Sequence, residues 1–333
     1  MNFLITGGAG FIGSHFVRYM VKKYPDCRIF NLDLLTYAGN LDNLKEIEGK
    51  ANYTFIRGDI RDGRLVHALI KKHEIDVIVN FAAESHVDKS IQKPDIFVES
   101  NVLGTQVLLQ TAKENDIKKF IQISTDEVYG SLEKEGYFTE ETPLSPNSPY
   151  SASKAGADLL VMSYYKTFGL NVNITRCSNN YGPYQFPEKL IPLMIINALE
   201  DRALPVYGDG ENIRDWLHVL DHCSAIDLVI RCGRPGEIYN IGGHNEKTNL
   251  EVVETILEIL GKPKELISFV DDRLGHDRRY AIDPAKIQKE LGWKPKYTFD
   301  KGLKDTIDWY ITHEAWRRRI QSGEYRQFDG ERV

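Results

Sequence analysis

The stretch Phe3-Leu4-Ile5-Thr6-Gly7-Gly8-Ala9-Gly10-Phe11-Ile12-Gly13 decides the fold. Phe3 to Thr6 reads as a buried strand that breaks directly into glycines. Beyond them Phe16, Val17, Met20, Val21 and Tyr24 recur at helical spacing until Pro25 stops the pattern. Strand, glycine turn and helix in that order let backbone approach a pyrophosphate at the helix N-terminus. Two registers fit a dinucleotide turn, Gly8-x-Gly10-x2-Gly13 and Gly7-x2-Gly10-x2-Gly13.

Glycines serve any tight turn, so the next strand matters. Arg28 to Leu32 leads into Asp33, twenty residues beyond Gly13, where a carboxylate accepts both ribose hydroxyls and repels a 2′-phosphate. The cofactor expected is NAD rather than NADP. Asp59-Ile60, after a strand at Tyr53 to Arg57, would border the adenine, unless Asp59 is only a turn residue.

Further strands are expected at Val77 to Phe81, Phe120 to Ser124 and Asn171 to Thr175, with helices at Asn101 to Ala112 and Ser151 to Phe168. The alternation predicts an α/β fold, a Rossmann-type doubly wound parallel sheet with a smaller mixed α/β substrate-binding domain. The first unit would span 1–178 with a return of the chain at about 211–240; the second would comprise 179–210 and 241–333. In the second, Leu250 to Leu260 reads as a helix capped by Asn249 and ended by Gly261 and Pro263.

With 333 residues and 42% hydrophobic content the chain can fill two cores. A net charge of -6 argues against nucleic acid as its main partner. The basic run Arg317-Arg318-Arg319 reads as a solvated helix face. Cys27, Cys177, Cys223 and Cys232 form no close pair, which suits a reducing cytoplasm, and no apolar stretch approaches the roughly 18 residues of a membrane span. His218-x3-His222 has metal spacing but no evident third ligand, so no metal is expected.

Chemistry enters with Thr125-Asp126-Glu127, two carboxylates at a strand end, and with Tyr150-x3-Lys154. Tyr-x3-Lys also occurs at Tyr19/Lys23 and Tyr297/Lys301, but only Tyr150 starts a helix near the carboxyl edge where open sheets bind ligands. On one helix face, a Lys can lower the phenol pKa and orient a ribose. Adjacent strand residues point to opposite faces, so Asp126 and Glu127 share one substrate only if the chain leaves extended geometry after Thr125.

These motifs, with Leu35 to Asn40, Ala82 to Asp88, Thr125 to Gly130, Asn179 to Pro192 and Gly275 to Tyr280, resemble the extended short-chain dehydrogenase/reductase family and, within it, the dTDP-glucose 4,6-dehydratases. The resemblance implies transient oxidation of a hexose at carbon 4 by NAD, water elimination across carbons 5 and 6, and hydride return to carbon 6. It implies Tyr150 as base, assisted by Lys154 and Thr125, with Glu127 removing the carbon 5 proton and Asp126 protonating the leaving hydroxyl. Cofactor contacts would include Gly7, Gly10, Phe11, Ile12, Gly13, Asp33, Thr36, Asp59, Ile60, Ala82, Ala83, Ser85, Ser100 and Asn180, with His86 beside the cofactor. Ser85, Thr125 and Asn179 would meet the sugar. Lys189, Leu190, Pro205, Tyr207, Arg214, Asn249, Asp272 and His276 would wrap the nucleotide and diphosphate, with Arg214 and Arg279 as phosphate cations. It also implies a homodimer built on the helices from Asn101 and Ser151, and a role in deoxysugar supply, such as rhamnose for polysaccharide. Leu34 and Leu274 depart from the family pattern. A 4-epimerase or decarboxylase of the same fold, which would not need Asp126-Glu127, and a noncatalytic NAD-binding regulator, which would have little reason to hold Thr125, Tyr150 and Lys154 together, remain open.

Overall fold

Phe3 and Ile5 turn to one face of a sheet and Leu4 to the other, and all three are buried. That period-2 alternation with no solvent face is what a doubly covered parallel sheet requires. It is seen in a computed structural model that describes residues 1–326. The expected second domain's residues 327–333 lie outside the described residues.

The chain runs β1 (Asn2–Thr6), α1 (Phe11–Lys23), β2 (Arg28–Asp33), β3 (Tyr53–Arg57), α2 (Gly63–His73), β4 (Val77–Asn80), α3 (Val87–Gln92), α4 (Pro94–Phe97), α5 (Gly104–Glu114), β5 (Lys119–Thr125), α6 (Pro149–Phe168) and β6 (Val172–Cys177). It continues through β7 (Asn179–Tyr181), α7 (Leu190–Leu199), β8 (Leu204–Tyr207), β9 (Ile213–His218), α8 (Val219–Cys232), β10 (Ile238–Ile241), β11 (Glu246–Thr248), α9 (Asn249–Leu260), β12 (Ile267–Val270), α10 (Ala285–Leu291), α11 (Phe299–Thr312) and α12 (Glu314–Ser322). Seven strands form one all-parallel sheet in the order β10-β6-β5-β4-β1-β2-β3. The order reverses between β1 and β4, the switch point at which such sheets bind ligands.

Helices α1 and α8 supply the core on one face, and α2, α5 and α6 the core on the other. A separate core joins α7, α9, α11, α12 and β8. β9 pairs with β7 and β11, so the return to the large sheet consists of α8 and β10 rather than all of 211–240. Ile287 of α10, and Trp293, likewise pack on the large sheet's core.

Local chemistry corrects several expected boundaries. The helix expected from Asn101 is already wound by Pro94–Phe97 and passes through a π-helical turn at Val98–Leu103 before α5. The turn buries Asn101, whose amide brackets Glu84 by accepting from its N–H and donating to its carbonyl. Helix α9 is capped by Thr248, reciprocally with Glu251; Asn249 is its first residue. The basic run is not a uniformly solvated face: Arg317 is buried and Arg319 pairs with Asp42 at 2.7 Å.

Helix α6 carries Tyr150 and Lys154, and two devices fix it. Ser148 and Ser151 form a reciprocal cap at its start. One turn past Lys154, Asp158 meets Arg176 of β6 at 2.9 Å, both fully buried, while Arg176 also donates to Tyr129. Replacing Arg176 by Leu strands a buried carboxylate, and should lower the unfolding free energy by about 3–5 kcal/mol in urea titration. A loss below about 1 kcal/mol would mean the pair does not anchor α6.

Candidate active site

At the switch point the backbones of two strand ends nearly touch. A Cβ on Gly7, which has φ +68°, would lie 2.6 Å from Ala82 N, and one on Gly13 would lie 2.2 Å from Gly7 O. Gly8 packs against Asn31 and does not face the cleft, whereas Gly7, Gly10 and Gly13 line it, which selects the second register. Gly10 has only Gly7 O near its Cβ position, at 3.4 Å, so the start of α1 is open to a ligand.

Asp33 sits at the end of β2 with one oxygen accepting from Ala9 N and the other from Leu35 N, both at 2.8 Å. Its burial raises its pKa, and the two amides oppose that rise. Thr36, Asp59, Ile60, Ala82, Ala83, Ser85 and Ser100 continue the wall, as do Phe11 and Ile12. Asp59 is clamped by Arg61, with Nη2 2.7 Å from its Oδ2. The only Lys or Arg residues among the described lining residues are Lys154 and Lys189, away from Asp33. A dinucleotide carrying free ribose hydroxyls fits this donor and acceptor set; a 2′-phosphate would meet the Asp33 carboxylate.

The chain does leave extended geometry after Thr125. Asp126–Tyr129 form a single 3₁₀ turn capped by the Thr125 hydroxyl, which accepts from Glu127 N and donates to Asp126 Oδ1, each at 3.3 Å. Both carboxylates therefore face the cleft with Thr125, Tyr150 and Lys154. Lys154 Nζ donates to Ile123 O at 2.6 Å, which pins the ammonium under the strand end.

The two acids sit in different fields. Burial, then the charges of Glu127 and Asp215, hold Asp126 well above the usual carboxylate range, and its Oδ2 has no hydrogen-bond partner among the described residues. Burial also raises Glu127, but Lys189, Arg273 and Arg214 pull it back toward ionisation. Asp215 is fixed by Gly243 N at 2.9 Å and Asn245 N at 2.7 Å. Neighbouring groups so unequal are how one site keeps an acid and a base at the same pH.

A model of the family described as GDP-mannose 4,6 dehydratase matches residues 4–306. A dTDP-glucose 4,6-dehydratase of Xanthomonas campestris pv. campestris is 52% identical, covering 98% of this chain and 97% of its own. The crystal structure of dTDP-glucose 4,6-dehydratase from Bacillus anthracis in complex with NAD superposes with a TM-score of 0.91 at 58% identity, covering 96% of this chain and 99% of that one. The Streptomyces venezuelae enzyme of the same name, solved with NAD and a second ligand, gives 0.93 at 50% identity, covering 96% and 100%. The chain belongs to the dTDP-glucose 4,6-dehydratase family.

Against that family, the nucleotide-side expectations divide. Lys189 and Asn179 line the cleft, and Lys189 donates to Ser85 O at 2.9 Å, so it is no free surface lysine. Asn180 also lines it and is held by His222 Nδ1 at 2.9 Å. Leu190, Pro205, Tyr207, Arg214, Asn249, Asp272 and His276 lie outside the cleft wall. Among them Tyr207 and His276 meet edge to face, and His276 pairs with Asp272 at 2.6 Å. Arg214 is buried over the Tyr280 ring at 4.4 Å and donates to Ile213 O and Asp277 O, free of the carboxylates of Asp209 and Asp215.

Three expectations are corrected. Arg279 is consumed by Glu246, at 2.7 Å and 2.9 Å, so the cations beside Glu127 are Lys189, Arg273 and Arg214. His86 faces Glu188 at 3.5 Å instead of lining the cleft. Lys154 does not bring the Tyr150 phenol below its ordinary value: burial, then Glu127, Cys177 and Asp126, push it well above, with Thr125 opposing. The other Tyr-x3-Lys pairs are structural, Tyr19 and Lys23 both bonding Asp227, and Tyr297 stacking on His218. His218 and His222 are buried and held neutral, with pKa values lowered by burial to about 4 and about 3, and no metal-ligand cluster occurs among the described residues.

The cleft also includes Tyr37, Glu84, Cys177, Gln185 and Glu188, which the sequence reading did not single out. Tyr37, Glu84, Gln185 and Glu188 fall inside motif blocks quoted above. Cys177 and the second carboxylate behind the pair, Asp215, carried no local signal.

Because the folded chain holds the Asp126 proton beyond the ordinary value of 3.8, ionising it costs stability as pH rises through that window and costs nothing further above it. Asp126→Asn should remove this fall, about 1.4 kcal/mol for each pH unit of retained proton. Parallel stability curves for the two proteins from pH 4 upward would contradict the assignment.

Proposed function

We propose that the chain converts dTDP-glucose to dTDP-4-keto-6-deoxyglucose, a hydro-lyase reaction with NAD as resident cofactor. The observation that carries this is the 3₁₀ turn after Thr125, which puts an acid and a base into the cleft beside Tyr150 and Lys154. A 4-epimerase or a decarboxylase would need only the second pair. NAD, when bound, accepts the carbon 4 hydride and returns it at carbon 6, so that the net change is loss of water.

Tyr150 takes the carbon 4 hydroxyl proton; its high proton affinity makes it a strong base once ionised. Thr125 opposes the rise of the phenol, and Lys154, one helical turn from Tyr150 and held by Ile123 O, supplies the nearby cation. The carbonyl formed at carbon 4 acidifies the carbon 5 proton. Glu127, favoured as carboxylate by Lys189, Arg273 and Arg214, removes it. Asp126, kept protonated, delivers its proton to the departing carbon 6 hydroxyl.

Arg214 and Arg273 serve the diphosphate and Tyr207 offers the base an aromatic wall, in keeping with relatives named for a dTDP sugar. A homodimer is part of the same reading. Leu103 and Leu159, 48% and 63% exposed, stand on the packed pair formed by the π-helical turn that leads into α5 and by α6. No helix among the described residues is long and apolar enough to cross a membrane, and all four cysteines are free, which suits a cytoplasmic enzyme supplying deoxysugars.

Incubation with dTDP-glucose should yield the 4-keto-6-deoxy product; turnover of UDP-glucose or GDP-mannose instead would refute the base assignment. Asp126→Asn should slow water elimination by about 10²- to 10⁴-fold while nicotinamide reduction survives. The reverse pattern would remove Asp126 from the acid role. Leu159→Glu should shift the sedimenting species from dimer to monomer, and an unchanged dimer would move the interface elsewhere.

A further inference from the structure

Helix α12 belongs to the second core, yet its polar bonds lead back to the glycine turn. Trp316 is buried among Tyr184, Trp309 and Tyr310, and its Nε1 donates to Asn43 Oδ1 at 2.9 Å. Asn43, 2% exposed, passes the contact on, its Nδ2 donating to Ala9 O at 3.1 Å. Ala9 lies inside the glycine turn, and its N–H is the donor that orients Asp33. The same carbonyl also accepts from Asn40 N at 3.0 Å.

Two further bonds run parallel to this one. Arg319 Nε donates to Asp42 Oδ2 at 2.7 Å, and the Tyr325 hydroxyl donates to Tyr37 O. The C-terminal segment thus grips residues 37–43 at three points. Thr36, Tyr37, Ala38 and Gly39 of that irregular segment form the cleft wall beside Asp33. Within the segment's first half, Gly39 N to Thr36 O is the internal backbone bond, and Leu35 stands at φ +59°. Its shape therefore depends on what holds it from outside.

We propose that α12 is a strap on the cofactor wall, and that Trp316 is a positioning residue which, through Asn43 and Ala9, sets how tightly the adenosine half of the dinucleotide is retained. The inference rests on the NAD reading above and extends it to residues that touch neither cofactor nor sugar. It gives the Arg317-Arg318-Arg319 run a role through Arg319, and explains why a helix built into the sugar-nucleotide unit ends against the opposite wall.

The test is the dissociation rate of NAD from the full chain, followed by displacement of the bound dinucleotide, together with the affinity for dTDP. Trp316→Phe keeps an aromatic side chain of smaller size and removes the donor, and should release NAD about tenfold faster, the change expected for one lost buried hydrogen bond. Arg319→Gln, at a half-exposed site that does not endanger folding, should also speed release. Ile320→Val, buried in the same helix without a bond to residues 37–43, should leave the NAD rate at the parent value. In all three variants dTDP affinity should stay as in the parent. The proposal fails if Trp316→Phe and Arg319→Gln release NAD at the parent rate, or if dTDP affinity falls in step with NAD retention. A parent chain that binds no NAD would overturn the cofactor reading itself, a result distinct from either.

Discussion

Everything in the site depends on one steric constraint, the approach of the backbone after β1 to the backbone after β4 where the strand order reverses. Gly7 lies so close to Ala82 that no side chain fits between them, and a side chain on Gly13 would lie closer still to Gly7 O. This contact opens the crevice, aims α1 at it, and fixes the level at which Asp33, Asp59 and Thr125 emerge from their strands. Backbone too close for a Cβ cannot be approximated by another residue, so the turn is specified more strictly than any apolar position of the core.

Above that frame the chemistry is electrostatic. The short turn at Asp126 places two carboxylates side by side, and the surroundings separate them. Burial, Glu127 and Asp215 hold the proton on Asp126, while burial of Glu127 is opposed by Lys189, Arg273 and Arg214. The cations come from three distant parts of the chain, and their convergence requires the second unit to be docked. The acid and the base are therefore products of tertiary structure, although both residues are adjacent in sequence.

That division explains what was legible in advance. The β1 turn, Asp33, the Tyr150 helix and the Thr125 pair were readable because each is a local pattern with a local physical cause. Arg279 was misassigned because charge alone does not reveal a partner, and Glu246 lies 33 residues away in sequence. The capping role of Asn249 passed to Thr248 because Glu251 completes a reciprocal pair with the threonine. Lys154 looked like the group that acidifies Tyr150, yet burial, then Glu127, Cys177 and Asp126, hold the phenol up, and none of that is written in the spacing. Arg317 and Arg319 read as a solvated face because their contacts, too, are made by folding.

The return of the chain to the large sheet through α8 and β10 has a consequence for how the molecule can be divided. β10 pairs along β6 from Ile238 to Ile241, and α8 covers one face of the sheet with Ile226 and Val229. A fragment ending at 178 would retain the glycine turn and most of the strands, but would leave β6 as a bare edge beside an uncovered apolar face. Such an edge is a template for pairing with other copies. The nucleotide-binding half is thus not a module bounded at residue 178; its sheet edge and one of its faces are completed by residues that the ribosome makes only after the first part of the second unit.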